Sequence, residues 1–477
     1  MSVIGTYDLQ PSAQQVVLAT NYLTNFDFMN QYLPDTYEKE FERYGNRTVA
    51  SFLRMVGAEM PSNSDLIKWA EQGRLHTKYT LCTLGTYAGT EITQTITIPA
   101  SNFPTGAPIS SAPANGFVAI RVGQTIMMSD ETAGSTLSNK AIVTAVDSAA
   151  NTVDVAYYEA TQAAYAAAST ITVFIYGSEF AKGQDGMEGS LESQDYIFSN
   201  NPIIIKDTYE VSGSDMAQIG WVEISTENGG TGYLWYLKSE HETRLRFEDY
   251  LETAMVEAVP AAAGSGAAAA VAPVGNNGSE GVFYVVNDRG NVWSGGNPVA
   301  LAGFDAVIQR LDKQGSIEEN VIFVNRDFSF DIDDMLAAQN SYGAGGTSYG
   351  LFDNDEEMAL NLGFTGFRRG YDFYKSDWKY LNDPTMRGGL TGGAINGLMV
   401  PAGSTTVYDQ ILGKNAKRPF LHVRYRASET EDRRYKTWIT GSAGGARTSA
   451  VDKMQVNFLS ERACCTLGAN NFFLFRD

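Results

Sequence analysis

The sequence has few of the side chains that most enzymes use for chemistry. Its 477 residues include three His and three Cys. The cysteines are Cys82 and the adjacent pair Cys464 and Cys465, an odd number with no C-x-x-C spacing, so the sequence predicts no disulfide framework and no redox pair. Because imidazole is the usual acid-base group near neutral pH, its scarcity predicts a protein that is not an enzyme, with no catalytic, cofactor-binding or metal-binding residues.

Long apolar runs are also lacking. No stretch of about 18 apolar residues exists, so no membrane span is predicted. The residues after Met1 form neither a basic segment nor an apolar one, so no secretory signal is predicted. We therefore expect a protein made in a reducing cytoplasm, without a membrane partner.

Positive charge is scarce as well. Lys and Arg total 35 against 55 Asp and Glu, which gives a net charge of −20. Tight wrapping of nucleic acid is therefore excluded, since phosphate binding needs concentrated Lys and Arg. Only 19% of residues are charged, while 43% are hydrophobic and 47 are Gly. This composition indicates a surface that is partly covered by neighbouring molecules.

A few residues match chemical motifs but favour plain structural interpretations. The histidines are His76, His241 and His422; His241 predicts a packing or surface role, and His422, in a basic strand, predicts a depressed pKa or exposure to solvent. The stretch 346–350 reads G-x-S-x-G around Ser348. A nucleophile elbow needs a hydrophobic strand before the serine, and a Gly-rich stretch precedes this one. A surface loop is the favoured interpretation.

Charged clusters carry two further expectations. Two acidic groups could bind a hard cation, although neither has the spacing of a known calcium loop, and helix caps or solvated faces are favoured; they are Asp331, Asp333 and Asp334, and Asp353, Asp355, Glu356 and Glu357. A late basic group indicates complementarity with an acidic patch on another copy of the chain, or weak contact with DNA phosphates; it comprises Lys414, Lys417, Arg418, Arg424, Arg426, Arg433, Arg434 and Lys436.

Hydrophobic patterning divides the chain into contrasting regions. Residues 1–75 predict short helices in an extended arm, one of them starting at Ser64 or Asp65 and continuing through Trp69. Residues 80–190 predict an all-β barrel or sandwich, with a hairpin between strands 141–147 and 152–157 and a bend at Gly123.

The next region predicts one long amphipathic helix. No Gly or Pro occurs between Gly232 and Pro260, which allows about 27 helical residues. The predicted apolar face has residues at helical spacing: Phe247, Tyr250, Leu251, Ala254, Met255 and Ala258. The predicted polar face carries Lys238, Glu240, Glu242, Arg246, Asp249 and Glu252. Beyond a Gly-Ala-rich linker, 282–420 alternates strands and helices, and strands return up to residue 475.

One segment resembles a known family. Residues 199–214 read SNNPIIIKDTYEVSGS, and the part 209–214 resembles the V-S-G-T type strand before the spine helix of tailed-phage major capsid proteins. The first half, at 204–206, departs from that pattern. The preceding 186–189, GMEG, resembles the turn at the base of their extended loop. The chain looks closest to capsid proteins of crAss-like phages of gut Bacteroidetes.

The resemblance implies an α+β, HK97-like capsid fold. It assigns 1–75 to an N-terminal arm, 76–198 to an extended loop carrying a β insertion at about 100–178, 199–262 to a peripheral domain with a spine helix at 232–259, 263–415 to an axial domain, and 416–477 to C-terminal strands returning to the peripheral domain.

The implied function is a major capsid protein that assembles into hexamers and pentamers. These would form the icosahedral head around the double-stranded DNA of a tailed bacteriophage, in the host cytoplasm. The implied partners are other copies of the chain, portal, scaffolding and auxiliary head proteins, and at most weak contact with packaged DNA. Since the chain begins at Met1, no protease-removed scaffolding segment is expected. The alternative is a tail, baseplate or adhesin protein that binds through its β module; a hydrolase at Ser348 is disfavoured.

Overall fold

The computed structural model describes most of the chain after residue 57. The described residues are 58–73, 76–85, 92–102, 118–160, 165, 169–189, 196–217, 224–225, 231–232, 235–269, 276–340, 365–409, 414–445 and 447–477. Side chains are described in all of these except 58, 224–225, 231–232, 235–238, 269, 337–340 and 404–418. The helices predicted before residue 58, Ser348 and the acidic group at 353–357 lie outside the described residues.

Strands outnumber helices in the described chain. The strands are β1 Ala58–Ser62, β2 Ile67–Glu71, β3 Lys78–Leu84, β4 Thr93–Thr97, β5 Gln124–Asp130, β6 Ser138–Asp147, β7 Thr152–Tyr157, β8 Thr170–Ser178, β9 Tyr196–Asn200, β10 Ile203–Ser212, β11 Ile224–Ser225, β12 Thr231–Gly232, β13 Asn291–Ser294, β14 Glu319–Val324, β15 Gly366–Arg369, β16 Tyr371–Asp377, β17 Ile395–Pro401, β18 Ser404–Asp409, β19 Lys414–Pro419, β20 Leu421–Arg426, β21 Lys436–Gly441, β22 Lys453–Thr466 and β23 Phe473–Arg476. The helices are α1 Gly213–Met216, α2 Trp235–Glu257, α3 Gly266–Ala269, α4 Val282–Arg289, α5 Leu301–Gln314, α6 Arg326–Asn340 and α7 Lys379–Asn382.

The helix predicted from Ser64 or Asp65 is wrong. This segment contains the strand β2, in which Ile67 is buried and the next residue is exposed. A side-chain period of two fits a strand, and β2 pairs with β9 in a two-stranded sheet. Nearby β1 pairs in parallel with β20. Partners distant in sequence therefore decided the conformation of this segment.

The chain forms two compact units, residues 1–67 with 199–477, and residues 68–198. The second unit is a closed barrel with the strand order β3-β4-β7-β6-β5-β8. The predicted hairpin is confirmed, because β6 and β7 pair directly across residues 148–151. The barrel begins at Lys78, earlier than the insertion predicted at about residue 100, since β3 and β4 are needed to close it.

An apolar core fills the barrel. Its members are apolar side chains from alternate strand positions, among them Cys82, Ile126, Val153 and Ile171, each 0% exposed. The bend predicted at Gly123 is present as a turn with φ +84°, where an added Cβ would lie 2.5 Å from the Phe180 ring. Glycine is therefore required there for both backbone and space.

In the first unit, one sheet packs against the long helix. Its path is β1-β20-β22-β10, with β21 also paired to β22. Helix α2 lays Phe247 and Leu251 on Val456 and Phe458 of β22. The predicted apolar face is therefore largely confirmed, but Tyr250 is 47% exposed while Glu252, predicted on the polar face, is 5% exposed.

A second sheet has the order β13-β23-β17-β14-β16-β15. Helices α5 and α6 pack on it through Phe304, Leu311 and Phe328, all buried, and Gly315 ends α5 in the left-handed conformation, φ +67°. The last strand, β23, lies between β13 and β17. The expectation that all C-terminal strands return to the sheet beside α2 is therefore wrong for β23.

The two larger sheets of the first unit share one core. Val256 of α2, Phe283 of α4, Leu398 of β17, Val423 of β20 and Leu474 of β23 belong to a single buried cluster. This cluster therefore joins the two larger sheets of the unit, which also contains the two-stranded sheets β11-β12 and β18-β19.

Candidate functional surfaces

The described histidines lie in different environments. His76 and His241 are exposed, which agrees with the surface role predicted for His241. His422 is only 4% exposed, so the expectation of solvent exposure is wrong for it. Its Nδ1 lies 3.2 Å from the carbonyl oxygen of Pro419. The residue is buried because β20 lies between β1 and β22 in the sheet.

The three cysteines are free and buried. Burial raises the pKa of Cys82 to about 12, and the charge of Glu131 acts in the same direction. Burial likewise raises the pKa of Cys464, and the neighbouring Cys465 adds to the effect. Since the thiolate is the reactive form, the raised pKa values keep Cys82 and Cys464 protonated near neutral pH.

The acidic residues of α6 are engaged by neighbouring side chains. Asp331 accepts a hydrogen bond from Asn297 at 2.7 Å, and Asp333 pairs with Lys375 at 2.5 Å. In the described part of the chain, no three His, Cys, Asp or Glu side chains are grouped as metal ligands. None of the described helices is long and apolar enough to cross a membrane.

A buried guanidinium lies at the centre of one ion-pair network. Arg462 of β22 is 5% exposed, and its Nη1 lies 3.3 Å from Oε1 of Glu59 on β1. Glu59 also pairs with Arg434. Burial lowers the pKa of Arg462, while Glu59 opposes that shift. The network thus ties β1 to a strand about 400 residues later in the chain.

A second network centres on Glu461, which is 6% exposed. Its carboxylate lies 3.1 Å from Nη1 of Arg433 and 3.9 Å from Nη1 of Arg426. Arg426 also pairs with Asp65, and Lys436 pairs with Glu431 at 2.7 Å. These partners belong to the same chain.

Arg426, Arg433, Arg434 and Lys436 of the late basic group therefore pair within the chain, and complementarity with another copy or weak contact with DNA stays a prediction. Of the remaining members, Arg424 contacts the sulfur of Met60 at 4.0 Å. The side chains of Lys414, Lys417 and Arg418 are not among those described. Sequence proximity of the basic residues gave no sign of Glu59 and Asp65, because those partners lie more than 350 residues away.

A cavity of about 440 Å³ lies between α2 and the segment after α7. At its base Glu257 accepts a hydrogen bond from the Tyr380 hydroxyl at 2.7 Å and pairs with Arg387 at 2.9 Å. Tyr250 and Leu390, both about half exposed, also line it. Its two arginines, Arg246 and Arg387, are balanced by Asp249 and Glu257, so the cavity has no net charge to select an ion.

The outer wall of the barrel carries an exposed aromatic patch. Tyr158, Phe174 and Tyr176 are 46%, 39% and 47% exposed. The Tyr158 hydroxyl donates to Glu179 at 2.6 Å, and the Lys140 ammonium lies 5.6 Å from the centre of the Tyr176 ring. Exposed tyrosines with fixed polar neighbours are typical of recognition surfaces.

Strand β21 is a surface that the sequence reading missed. Trp438 is 36% exposed and Ile439 is 46% exposed, although successive strand residues point to opposite faces. Both faces of this strand are therefore apolar and open. The available signal was the run 437–441, TWITG, which combines strong strand formers with no charge.

Comparisons with known proteins identify no family by sequence. No family model matches the chain, and no curated protein matches it.

Solved structures give weak likenesses. A Microbacterium phage Oxtober96 structure is 10% identical over 92% of this chain and 94% of that one, with a TM-score of 0.37. A capsid of a native GTA particle is 9% identical over 94% and 96%, with a TM-score of 0.36. The mature capsid of bacteriophage PhiM1 is 9% identical over 63% and 78%, with a TM-score of 0.33. TM-scores below 0.5 do not establish a common fold, so the function must be argued from the chain itself.

Proposed function

We propose that this chain is a structural protein of a virion, the major capsid protein of a tailed bacteriophage with an HK97-like fold. The observation that carries the proposal is the order of its elements. The barrel strands lie between β2 and β9 in the sequence, and β10 is followed by the 23-residue helix α2. An α/β sheet comes next, and the 14-residue strand β22 then pairs with β10. The V-S-G-S segment at 211–214 spans the end of β10 and the start of α1, which supports the proposal.

In this proposal the regions have distinct tasks in assembly. Residues 1–75 and the barrel-bearing loop 76–198 lie over neighbouring copies, while 199–262 and 416–477 form the peripheral domain and 263–415 the axial domain. Hexamers and pentamers of the chain build an icosahedral head around double-stranded DNA in the host cytoplasm. Portal, scaffolding and auxiliary head proteins are the further partners. The proposed source of the chain is a crAss-like phage.

Two physical features support the assembly role. Projecting segments that cannot bury their apolar residues alone bury them on neighbours, in large obligate interfaces. The exposed aromatic patch of the barrel and the open faces of β21 are surfaces of this kind. The charge of −20 gives mild repulsion of packaged DNA, which leaves only weak, non-specific contact.

The test is the assembly state of the purified full chain. Sedimentation and negative-stain electron microscopy should show hexamer or pentamer rings, or closed shells, at raised concentration. Monomers under every assembly condition would contradict the proposal.

The second candidate is a tail, baseplate or adhesin protein that binds glycan through the barrel. The exposed patch of Tyr158, Phe174 and Tyr176 favours it, because aromatic rings stack on sugar faces. A glycan array with the intact chain and with Tyr176→Ala tests it, with the equally exposed Tyr250→Ala outside the barrel as control. Binding lost only in Tyr176→Ala, together with small discrete oligomers, would favour this candidate over the shell.

A further inference from the structure

Three strands of the sheet beside α2 have an edge that no other described strand covers: β1, β10 and β21. Two of these edges are protected. An open strand edge invites pairing with another chain, and proteins block it with charges or proline. Strand β1 has Glu59 and Pro61, and β10 has Lys206, Asp207 and Glu210. The residues of β21 after Lys436 include neither a charge nor a proline. Among the described strands of this sheet, β21 has the unprotected edge.

The hydrogen-bond pattern shows which backbone groups of β21 face outward. Ser442 lies opposite Lys453 and donates its N–H to the Lys453 carbonyl at 3.0 Å. Antiparallel pairs alternate between hydrogen-bonded and non-hydrogen-bonded, so Trp438 also directs its backbone to β22. The Trp438 carbonyl is consistent with this orientation, because it accepts a hydrogen bond from the Asn457 side chain of β22.

By the same alternation Thr437, Ile439 and Gly441 face away from β22. Gly441 is already satisfied, because it donates to the Thr448 hydroxyl and accepts from the Thr448 N–H, each at 2.9 Å. For Thr437 and Ile439, no hydrogen bond to the outward N–H and C=O groups occurs among the described residues. Among the described residues, Thr437 and Ile439 therefore present four free backbone groups on a strand whose only charged residue is Lys436 at its start.

We propose that β21 pairs antiparallel with β21 of a second copy of this chain, across a two-fold axis perpendicular to the sheet. In this register Thr437 of one copy opposes Ile439 of the other, and each pair exchanges two hydrogen bonds. All four free groups of each copy are then satisfied. Shifting the register by two residues would bring Gly441 into the pairing, where Thr448 already occupies its groups.

The outward groups of residues 437 and 439, two donors and two acceptors at matching spacing, favour a second copy of the same strand as the partner. Two uncharged TWIT segments bring no like charges together at the axis, whereas self-pairing of β10 would place Lys206, Asp207 or Glu210 near their own copies. Trp438 of the two copies becomes the central pair, and cross-strand aromatic pairs stabilise sheets. The strand alone buries less than the roughly 1,000 Å² of a stable interface, so the β21 pairing needs other contacts between the two copies. The inference rests on the proposed shell to supply these contacts.

Cysteine scanning tests the register. In a non-hydrogen-bonded pair the Cα atoms lie about 4.5 Å apart, within disulfide range, so Trp438→Cys should form an intermolecular disulfide on oxidation. Thr437→Cys and Ile439→Cys should not, since each lies about 8–9 Å from its own copy. The three native cysteines are buried and give little background. Equal cross-linking at all three positions, or none at 438, would overturn the register.

Hydrogen exchange tests the pairing without altering Trp438. The amides of Thr437 and Ile439 should exchange quickly in the dilute chain and at least tenfold more slowly after association. Ile439→Lys should abolish that protection, while Ile204→Lys, 52% exposed on β10, should leave it unchanged. No protection in associated wild-type chain would overturn the proposal.

The two proposals fail separately. Shells that form without cross-linking at 438 leave the capsid role standing and remove the β21 contact. A dimer cross-linked at 438 in a chain that never forms rings or shells keeps the contact and removes the capsid role.

Discussion

At the scale of single residues, Arg462 illustrates how this chain uses its limited positive charge. Its side chain is 7% exposed and its guanidinium faces the carboxylate of Glu59, whose side chain is 31% exposed. Removing one partner of a buried ion pair leaves an uncompensated charge, which costs far more than losing a surface pair. The basic residues near the C-terminus therefore hold β1 in place.

Glu59→Gln should lower the free energy of unfolding by about 1–3 kcal/mol, because Arg462 stays buried without its counter-charge, while the partial exposure of Glu59 limits the loss. Urea denaturation measures it. The control is Asp65→Asn, whose side chain is 89% exposed and which should cost less than about 0.5 kcal/mol. Equal effects of the two changes would contradict the role given to Arg462.

The thiol of Cys82 predicts a pH dependence. Its pKa is about 12 in the folded chain against an ordinary 9.0, so the unfolded state loses this proton first. Stability from this group is complete below about pH 9 and falls as the pH rises toward 12, by up to about 1.4 kcal/mol per pH unit. Thermal melts from pH 8 to 10.5 measure it, and Cys82→Ala should flatten the decline. A melting temperature that rises over this pH range in the wild-type chain but not in Cys82→Ala would contradict the raised pKa of Cys82.

At the scale of elements, α2 owes its position to a few aromatic contacts. Phe247 is fully buried, with ring centres 5.6 Å from Phe458 and 5.4 Å from Tyr435. A long helix gains most of its stability from such packing, since its intrinsic propensity is weak. The buried Phe247 therefore matters more than the exposed Tyr250 three residues later.

Phe247→Ala should destabilise the first unit by about 3–5 kcal/mol, because it leaves a cavity between α2 and β22. Tyr250→Ala, at 47% exposure, should cost less than about 1 kcal/mol. Guanidinium denaturation followed by far-ultraviolet circular dichroism measures both. Similar losses in the two variants would show that α2 is not packed through Phe247.

At the scale of the whole molecule, the two compact units have separate cores. The barrel core contains Ile126, and a core of the first unit contains Leu311, both 0% exposed. Separate cores favour separate unfolding units. In the first unit, strands pair between residues as distant in sequence as Ile203 and Arg462. This separation is longer than any within the barrel, so the first unit has the more complex topology.

Calorimetry should therefore resolve two transitions. Ile126→Ala should lower the stability of the barrel transition by about 2–5 kcal/mol and leave the other unchanged, and Leu311→Ala should do the reverse. A single transition shifted equally by both substitutions would show that the units unfold together.

Local patterns accounted for those elements whose pairing is local. The hairpin at 148–151, the helix closed by Gly315 and the buried positions of α2 follow from spacing and turn residues. The segment 67–71 could not be predicted this way, since its conformation depends on β9, over 120 residues later. The ion-pair partners of Arg434 and Arg462 have the same origin.

By itself, the sequence determined that this chain has few His and Cys, a strong net negative charge and contrasting regions of β and helical pattern, because composition and periodicity can be read without the fold. Only the tertiary structure decided that β3 and β4 close the barrel, that β23 lies in the second sheet and that Glu59 neutralises Arg462. It alone showed that β21 keeps an open edge, because a strand's free hydrogen-bonding groups depend on which strands lie beside it.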